Sequence, residues 1–318
     1  MSDIDLSVIV PFFNEEDNLE KLHKELFGVL GRLKIKSEII YVDDGSTDGS
    51  KDTLARAINK GSSEIKIKVV SFNRNFGQTA AVVAGIDSCS GDIVSFLDAD
   101  LQNDPRDIPT FLSKMEEGYD AVFGWRKERR DTTLRSFLSR SANKVINMVF
   151  SYPYHDVGCS ARVVKRSFLK DLQLYGELHR IMPVLIYLKG AKIGEIVVTH
   201  RSRAGGQSKY GFERIAKTLI DIISVKFLTA YGTKPAYVFG SLGLASIFIG
   251  GLTLLAVAYR KIFLGVFVHR DPLFLITIFL VLSGIQLVVM GLIAELQVRT
   301  YFESQGKHIY EIRNVKEY

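Results

Sequence analysis

The chain has almost no cysteine. Cys89 and Cys159 are the only two in 318 residues, with no metal-type spacing between them. That excludes a disulfide scaffold and a zinc ribbon, and fits two reduced thiols in a cytosolic compartment. Two nucleotide signatures are also missing. No Gly-x-Gly-x-x-Gly follows the first apolar run, which counts against a dehydrogenase. No Gly-x-x-x-x-Gly-Lys-Ser/Thr occurs, which counts against a P-loop hydrolase. The amino terminus, MSDIDLSVIV, lacks a basic start and a long apolar core, so no signal peptide is expected there. Internal repeats and low-complexity tracts are absent.

Charge is missing from two long stretches. Ala236–Tyr259 is 24 residues without one Asp, Glu, Lys or Arg, and Pro272–Ala294 is 23 more. A helix of about 20 residues spans the hydrocarbon core of a bilayer. Two such runs in succession, split by the polar link Arg260–Asp271, predict a transmembrane hairpin within residues 235–296. Gly240, Gly243, Gly250 and Gly251 fit either close helix approach or ordinary membrane-helix composition, and small residues there permit self-association into a homo-oligomer. Gln286 fits either a bond across the helices or a tolerated polar residue. Basic residues outside the hairpin, among them Lys217, Lys226, Lys234, Lys307 and Lys316, place both outer flanks in the cytoplasm. Residues 211–234 read as an amphipathic helix on the membrane surface, with a helix packed on the soluble domain as the alternative. Residues 297–318 read as a cytoplasmic tail.

What is abundant lies upstream, in residues 1–210. Leu6–Pro11, Glu38–Asp43, Ile65–Phe72, Ile93–Asp98 and Ala121–Trp125 read as Val- and Ile-rich strands covered on both faces. Glu15–Leu30, Asp48–Asn59, Gln78–Asp87 and Arg106–Glu117 read as the helices between them, with Thr47 and Asp48 as caps. The alternation predicts an α/β domain, doubly wound, with a mostly parallel sheet. In such sheets ligands sit beyond the carboxyl ends of the strands.

Those ends are acidic. The first strand runs into Pro11-Phe12-Phe13-Asn14-Glu15, the second ends in Asp43-Asp44-Gly45-Ser46, and the fourth ends in Asp98-Ala99-Asp100. Burying such carboxylates unpaired would be costly. Clustered at a ligand edge, they suit a hard divalent cation, Mg²⁺ or Mn²⁺, bound by one or two carboxylates and by phosphate oxygens. An isolated Asp-x-Asp is most often a solvated turn; its place at the end of a core strand gives it weight.

The set "VIVPFFNEEDNL", "IIYVDDGSTDGS", "NFGQTAAVVAGI" and "FLDADLQNDP" resembles inverting glycosyltransferases of family two, with the A-type, Rossmann-like fold. "HDVGCSARVVKR" and "RSRAGGQSKYGF", followed by two spans, narrow the resemblance to polyprenyl-phosphate glycosyltransferases such as bactoprenol glucosyltransferases and dolichol-phosphate mannose synthases. Asn103 departs from the Asp-Leu-Gln-Asp-Pro-Pro of many relatives. The resemblance implies a hexosyltransferase that moves a sugar from a nucleotide sugar, UDP-glucose favoured, to undecaprenyl or another polyprenyl phosphate at a bacterial plasma membrane. Pro11, Asn14 and Glu15 would line the nucleotide pocket, and Asp43 and Asp44 would hold base and ribose. Asp98 and Asp100 would bind the metal and the diphosphate, with Gln102 near the sugar.

The acceptor is expected on a basic stretch. Arg126–Lys144 carries seven basic and two acidic residues, interleaved with apolar Leu134, Phe137 and Leu138. That suits a lipid phosphate at a membrane surface better than nucleic acid. By resemblance, Arg126, Arg135, Ser139 and Arg203 contact the acceptor phosphate or the diphosphate. Gly205–Lys209 reads as a basic lid, with Lys209 facing the phosphates, or as a plain linker. Asp156 is the candidate base or orienting residue, or else a turn cap. Two other functions stay open. A processive polysaccharide synthase would carry Gln-x-x-Arg-Trp, and Trp125, the only tryptophan, is not in that motif. A catalytically silent nucleotide-binding partner subunit would not need an intact Asp-x-Asp.

Overall fold

The computed structural model describes residues 4–59, 65–127, 146–148, 150–170, 172, 174, 176–201 and 235–305. The chain divides into two units, residues 1–222 and 223–318.

In the first unit, strand β1 (Leu6–Phe12) leads through helix α1 (Glu16–Leu30) to β2 (Ser37–Asp43), then α2 (Ser50–Asn59), β3 (Lys66–Ser71), α3 (Gln78–Ser88) and β4 (Ile93–Phe96). Helix α4 (Ile108–Glu116), β5 (Ala121–Trp125), β6 (Arg162–Lys165), α5 (Arg166–Leu169), α6 (Met182–Leu188) and β7 (Ile193–Val197) follow. The seven strands form one sheet in the order β3-β2-β1-β4-β6-β5-β7. β3, β2, β1 and β4 run parallel. β6 enters antiparallel to both β4 and β5, and β7 is parallel to β5. The strand order reverses at β1 and β4, so the crevice for a ligand opens beyond their carboxyl ends.

The core follows from periodicity. Leu6, Val8 and Val10 of β1 point to one face at period two, and Leu19, Leu22, Leu26 and Leu30 of α1 return at helical spacing to cover them. Each such side chain stabilises by roughly 1.5–3 kcal/mol when fully buried. Three expectations need correction. β3 is not covered on both faces: Lys66 and Val69 are exposed, because β3 is the sheet edge. The helix expected from Arg106 opens as a 3₁₀ turn over Pro105–Asp107, capped by the Asp104 carboxylate on the Arg106 N–H, and becomes α-helical at Ile108. α2 begins at Ser50, so Asp48 lies before it; its carboxylate takes the Ser50 N–H at 3.0 Å and the Glu16 N–H of α1 at 3.3 Å.

The second unit is a helical hairpin. α7 (Pro235–Leu264) and α8 (Pro272–Gln305) are both long and apolar enough to cross a membrane. They outrun the expected spans: Arg260 and Lys261 lie inside α7, and Arg260 pairs with Asp271 at 2.9 Å across the link. The glycines are used unevenly. A Cβ on Gly243 would meet the Gly284 carbonyl at 2.6 Å and one on Gly250 would meet Val281 at 2.8 Å, whereas Gly240 and Gly251 have open space. Polar contacts between the helices come from the Ser246 hydroxyl on the Leu280 carbonyl and from Thr277 on Thr253, both 2.8 Å. Gln286 is exposed on the outside. Gly243→Leu is therefore expected to part the helices, and reconstituted protein should lose several degrees in thermal midpoint relative to Gly251→Leu. Equal midpoints would show that the Gly243 contact does not hold the hairpin.

Candidate active site

The loops after β1 and β2 are stitched together. Asn14 sits at φ 55°, in the left-handed region that Asn tolerates. Its N–H donates to Ser46 Oγ at 3.0 Å, its Oδ1 accepts the Thr47 N–H at 2.9 Å, and the Glu15 N–H donates to Ser50 Oγ at 2.9 Å. Asp43, fully buried, accepts the Ser46 N–H at 2.8 Å and lies 3.2 Å from Lys51 Nζ. The Asp44 carboxylate accepts the N–H groups of Phe76 at 2.7 Å and Gly77 at 3.0 Å. Gly45 is required between these loops: φ is +74° and a Cβ would stand 2.3 Å from the Arg74 backbone. Pro11, Asn14, Glu15, Asp43 and Asp44 thus gather at one edge, and both aspartates brace its loops.

β4 delivers the other carboxylates. Asp98 is half-buried, and its Oδ1 accepts from Gln78 Nε2 at 3.0 Å, at the start of α3. The Asp100 carboxylate accepts the Gln102 N–H at 3.1 Å across a turn in which Leu101 stands at φ 61°. A leucine in that region is uncommon and marks a turn whose shape the surroundings impose. The Gln102 carbonyl accepts the Arg201 N–H at 2.9 Å. Asn103, the departure from the usual motif, is buried and donates to Ser160 Oγ at 2.7 Å. Arg201 also pairs with Glu25 and Asp104, each at 2.7 Å. Burial works against charge on Asp104, but hydrogen bonds from Arg106 and then Arg201 outweigh it and bring its pKa down to about 2. Burial pushes the Cys159 thiol up to about 11, and both cysteines are buried and free, so neither is a ready nucleophile.

At the end of β5, Arg126 grips Asp156 with two bonds, Nε to Oδ2 at 2.8 Å and Nη2 to Oδ1 at 2.9 Å. Asp156 is 3% exposed, so the residue singled out as a base or orienting group is half of an ion pair. Beside it the His155 ring stacks on Trp125 with centroids 4.2 Å apart and shares a 2.8 Å bond with Glu195. Arg135, Ser139, Arg203, Lys209, the surface helix over 211–234 and most of the tail over 297–318 lie outside the described residues.

Sequence reasoning missed Gln78, Arg162, Glu195 and Arg201. Arg162 had a signal: an arginine inside the otherwise apolar run Ala161-Arg162-Val163-Val164. The donor set suits the expected cation. Among the described residues no group of three or more His, Cys, Asp or Glu could hold a metal alone. Two half-buried carboxylates beyond the carboxyl end of β4 fit Mg²⁺ or Mn²⁺, which complete their shells with water and phosphate oxygens.

Comparison with known proteins agrees with this geometry. The profile "Glycosyl transferase family 2" matches residues 7–173. A dodecaprenyl-phosphate galacturonate synthase of Rhizobium johnstonii is 36% identical, over 98% of this chain and 93% of its own. An undecaprenyl-phosphate 4-deoxy-4-formamido-L-arabinose transferase of Enterobacter is 34% identical over 98% and 93%. Glucosyl-3-phosphoglycerate synthase from Mycobacterium tuberculosis, solved with Mn²⁺, UDP and phosphoglyceric acid, is similar in fold with a TM-score of 0.54 at 19% identity, over 71% of this chain and 78% of that one. The same synthase has been solved with Mg²⁺ and UDP, at a TM-score of 0.52 and 19% identity over 72% and 80%. With an A-type sheet, acidic residues at its switch point and a C-terminal apolar hairpin, the chain belongs to glycosyl transferase family 2, and its full-length relatives are polyprenyl-phosphate glycosyltransferases.

Proposed function

We propose that the protein transfers glucose from UDP-glucose to undecaprenyl phosphate, with inversion, at the cytoplasmic face of a bacterial plasma membrane. The observation that carries the reading is the Asp98–Asp100 pair at the end of β4, facing the switch-point crevice of a chain alignable end to end with polyprenyl-phosphate transferases. Asp98 and Asp100 would hold Mg²⁺ or Mn²⁺. When bound, the cation would offset charge gathering on the departing diphosphate. Pro11, Asn14 and Glu15 line the nucleotide side, and Asp43 and Asp44 shape the base and ribose subsite. Gln102, its carbonyl held by Arg201, stands on the sugar side. Arg126, Arg135, Ser139, Arg203 and Lys209 gather the acceptor and diphosphate charges.

An acceptor phosphate is already ionised at neutral pH, so its oxygen can attack the anomeric carbon without a strong base. Positioning and charge stabilisation then supply most of the rate. The tight pairing of Asp156 with Arg126 suits an orienting role. The hairpin holds the catalytic unit, residues 1–210, near a lipid substrate.

A second donor has its own support: the relative at 36% identity is named for galacturonate. The test is label transfer by purified, lipid-reconstituted protein given undecaprenyl phosphate, Mg²⁺ or chelator, and labelled UDP-glucose or UDP-galacturonate in parallel. The expected result is a labelled lipid from UDP-glucose that disappears with chelator. Product from UDP-galacturonate alone replaces the sugar and keeps the reaction. No lipid product from either donor, despite metal-dependent UDP binding, overturns the acceptor assignment.

A further inference from the structure

We infer that Arg201 is a positioning residue: it fastens the loop after Asp100 to the body of the catalytic unit, and so fixes the direction in which Gln102 is presented to the donor sugar. The inference rests on the reading of Gln102 as a sugar-side residue and adds to it the group that holds Gln102 there. Gln102 is held from both sides. Its N–H donates to the Asp100 carboxylate at 3.1 Å, and its carbonyl accepts the Arg201 N–H at 2.9 Å. With both backbone groups engaged, the two soft dihedrals at Gln102 are set, and with them the direction of its side chain. The residue before it needs such support, because Leu101 stands at φ 61°. A side chain of that bulk leaves the left-handed region unless its surroundings keep it there.

The support comes from the stretch that leaves β7. The Asp107 carboxylate accepts the Thr199 N–H at 2.8 Å, His200 and Asn103 form a single antiparallel bridge, and the Arg201 N–H closes the row at Gln102. A pairing this short is marginal on backbone bonds alone. The Arg201 guanidinium supplies the rest: Nη2 lies 2.7 Å from Asp104 Oδ2, and Nη1 lies 2.7 Å from Glu25 Oε2. Glu25 belongs to α1, whose leucines pack in the core. Asp104 has a second partner in Arg106 at 2.6 Å, but Arg106 is two residues away and its side chain is 73% exposed. That pair ties the loop only to itself. Of the two arginines on Asp104, Arg201 is the one that reaches a separate element. Arg201 and Glu25 are partly buried and Asp104 is buried, so water screens the bridge less than an ordinary surface pair.

The other donor-side contacts do not pass through Arg201. Asp98 is held by Gln78, and the loops that carry Asn14, Asp43 and Asp44 are bonded to one another and to the backbone at Phe76. Losing the guanidinium therefore loosens the turn at Gln102 and leaves the nucleotide-side loops in place. The nucleotide binds nearly as before, and the sugar is less often held in the geometry for transfer. That lowers kcat much more than it raises KM for the donor.

The test is sugar transfer to undecaprenyl phosphate by the full chain in lipid nanodiscs, from UDP-glucose or, should wild type use it instead, from UDP-galacturonate. Wild type, Gln102→Ala, Arg201→Met and the double variant form a cycle. Each single change is expected to lower kcat about tenfold, with KM for the nucleotide sugar within about threefold of wild type. The double variant should lie within about threefold of Gln102→Ala, because Arg201 acts through Gln102. Losses that multiply to about a hundredfold overturn the inference and leave Gln102 on the sugar side. Wild-type kcat in Gln102→Ala, or a wild type that transfers neither sugar, overturns the donor-site reading and the inference with it. Hydrogen exchange reads the same fastening without activity. Exchange across residues 100–104 should quicken about tenfold in Arg201→Met and stay unchanged across 12–18 and 43–48. Equal acceleration in all three stretches is the mark of a merely structural role and overturns the inference. Should Arg201→Met fail to fold, Arg201→Lys takes its place in the cycle. Its single ammonium meets Asp104 or Glu25 but not both, so kcat should fall about threefold, and that loss should vanish in the Gln102→Ala background. A loss that persists there overturns the inference.

Discussion

Asp100→Ala is expected to abolish sugar transfer and leave the fold standing. The carboxylate lies beyond the last paired residue of β4, half-buried at the crevice, and no hydrophobic cluster includes it. If Asp98 and Asp100 hold the cation as proposed, removing one of the two should cost turnover about a thousandfold or more, which is roughly 4 kcal/mol of barrier. The price to the fold should be small, since Leu97, Ala99 and Leu101 around it keep their places in the core. Label transfer and thermal unfolding on the same preparation check both halves. A thermal midpoint within about 2 °C of wild type, with no lipid product, is the expected pair of results. Wild-type turnover would place the cation elsewhere. Asp104→Ala makes a useful contrast four residues on. Its carboxylate is buried between Arg106 and Arg201, so its loss should lower stability first.

The strand-end aspartates were legible because a local signal carries them: a run of Val, Ile and Phe that stops in acids marks where a core strand meets a ligand edge. The hairpin was legible for a similar reason, as two long runs without charge have few soluble explanations. What surrounds the aspartates was not legible. Arg201 reaches Glu25 across 176 positions of sequence and Thr79 reaches His179 across 100, and no local pattern announces such pairs. β7 escaped because it is five residues long and carries a charge, Glu195, inside its apolar run. The direction of β6 escaped as well. Periodicity identifies a strand but does not say which neighbours it inserts between, and here β6 enters between β4 and β5 against their direction. The insertion has consequences for the site, because it brings Arg162 to the end of β4 that Asp98 occupies.

The Arg126–Asp156 pair carries the second large effect, and its two halves are unequal. The Asp156 side chain is 2% exposed and that of Arg126 is 16%. Arg126→Met takes both guanidinium bonds from a carboxylate with almost no access to water, and is expected to destabilise the catalytic unit by about 3–5 kcal/mol. Asp156→Asn keeps the shape and removes the charge from the side of the more exposed partner, so it should cost clearly less. Adding Asp156→Asn to Arg126→Met should recover much of the loss, and a double variant as unstable as Arg126→Met alone would mean the pair is not the source of the cost. The same variants separate two chemical roles. If Asp156 orients its neighbours, Asp156→Asn lowers kcat and leaves the shape of the pH profile of kcat/KM unchanged. If Asp156 takes a proton, the profile loses its acidic limb and the rate falls further. The bidentate grip of Arg126 favours the first result: a carboxylate held by a guanidinium through both oxygens is a weak base, and an ionised phosphate acceptor has no proton to give it. An acidic limb that vanishes with Asp156→Asn would instead show that the pair opens during turnover and that Arg126 releases the carboxylate to act.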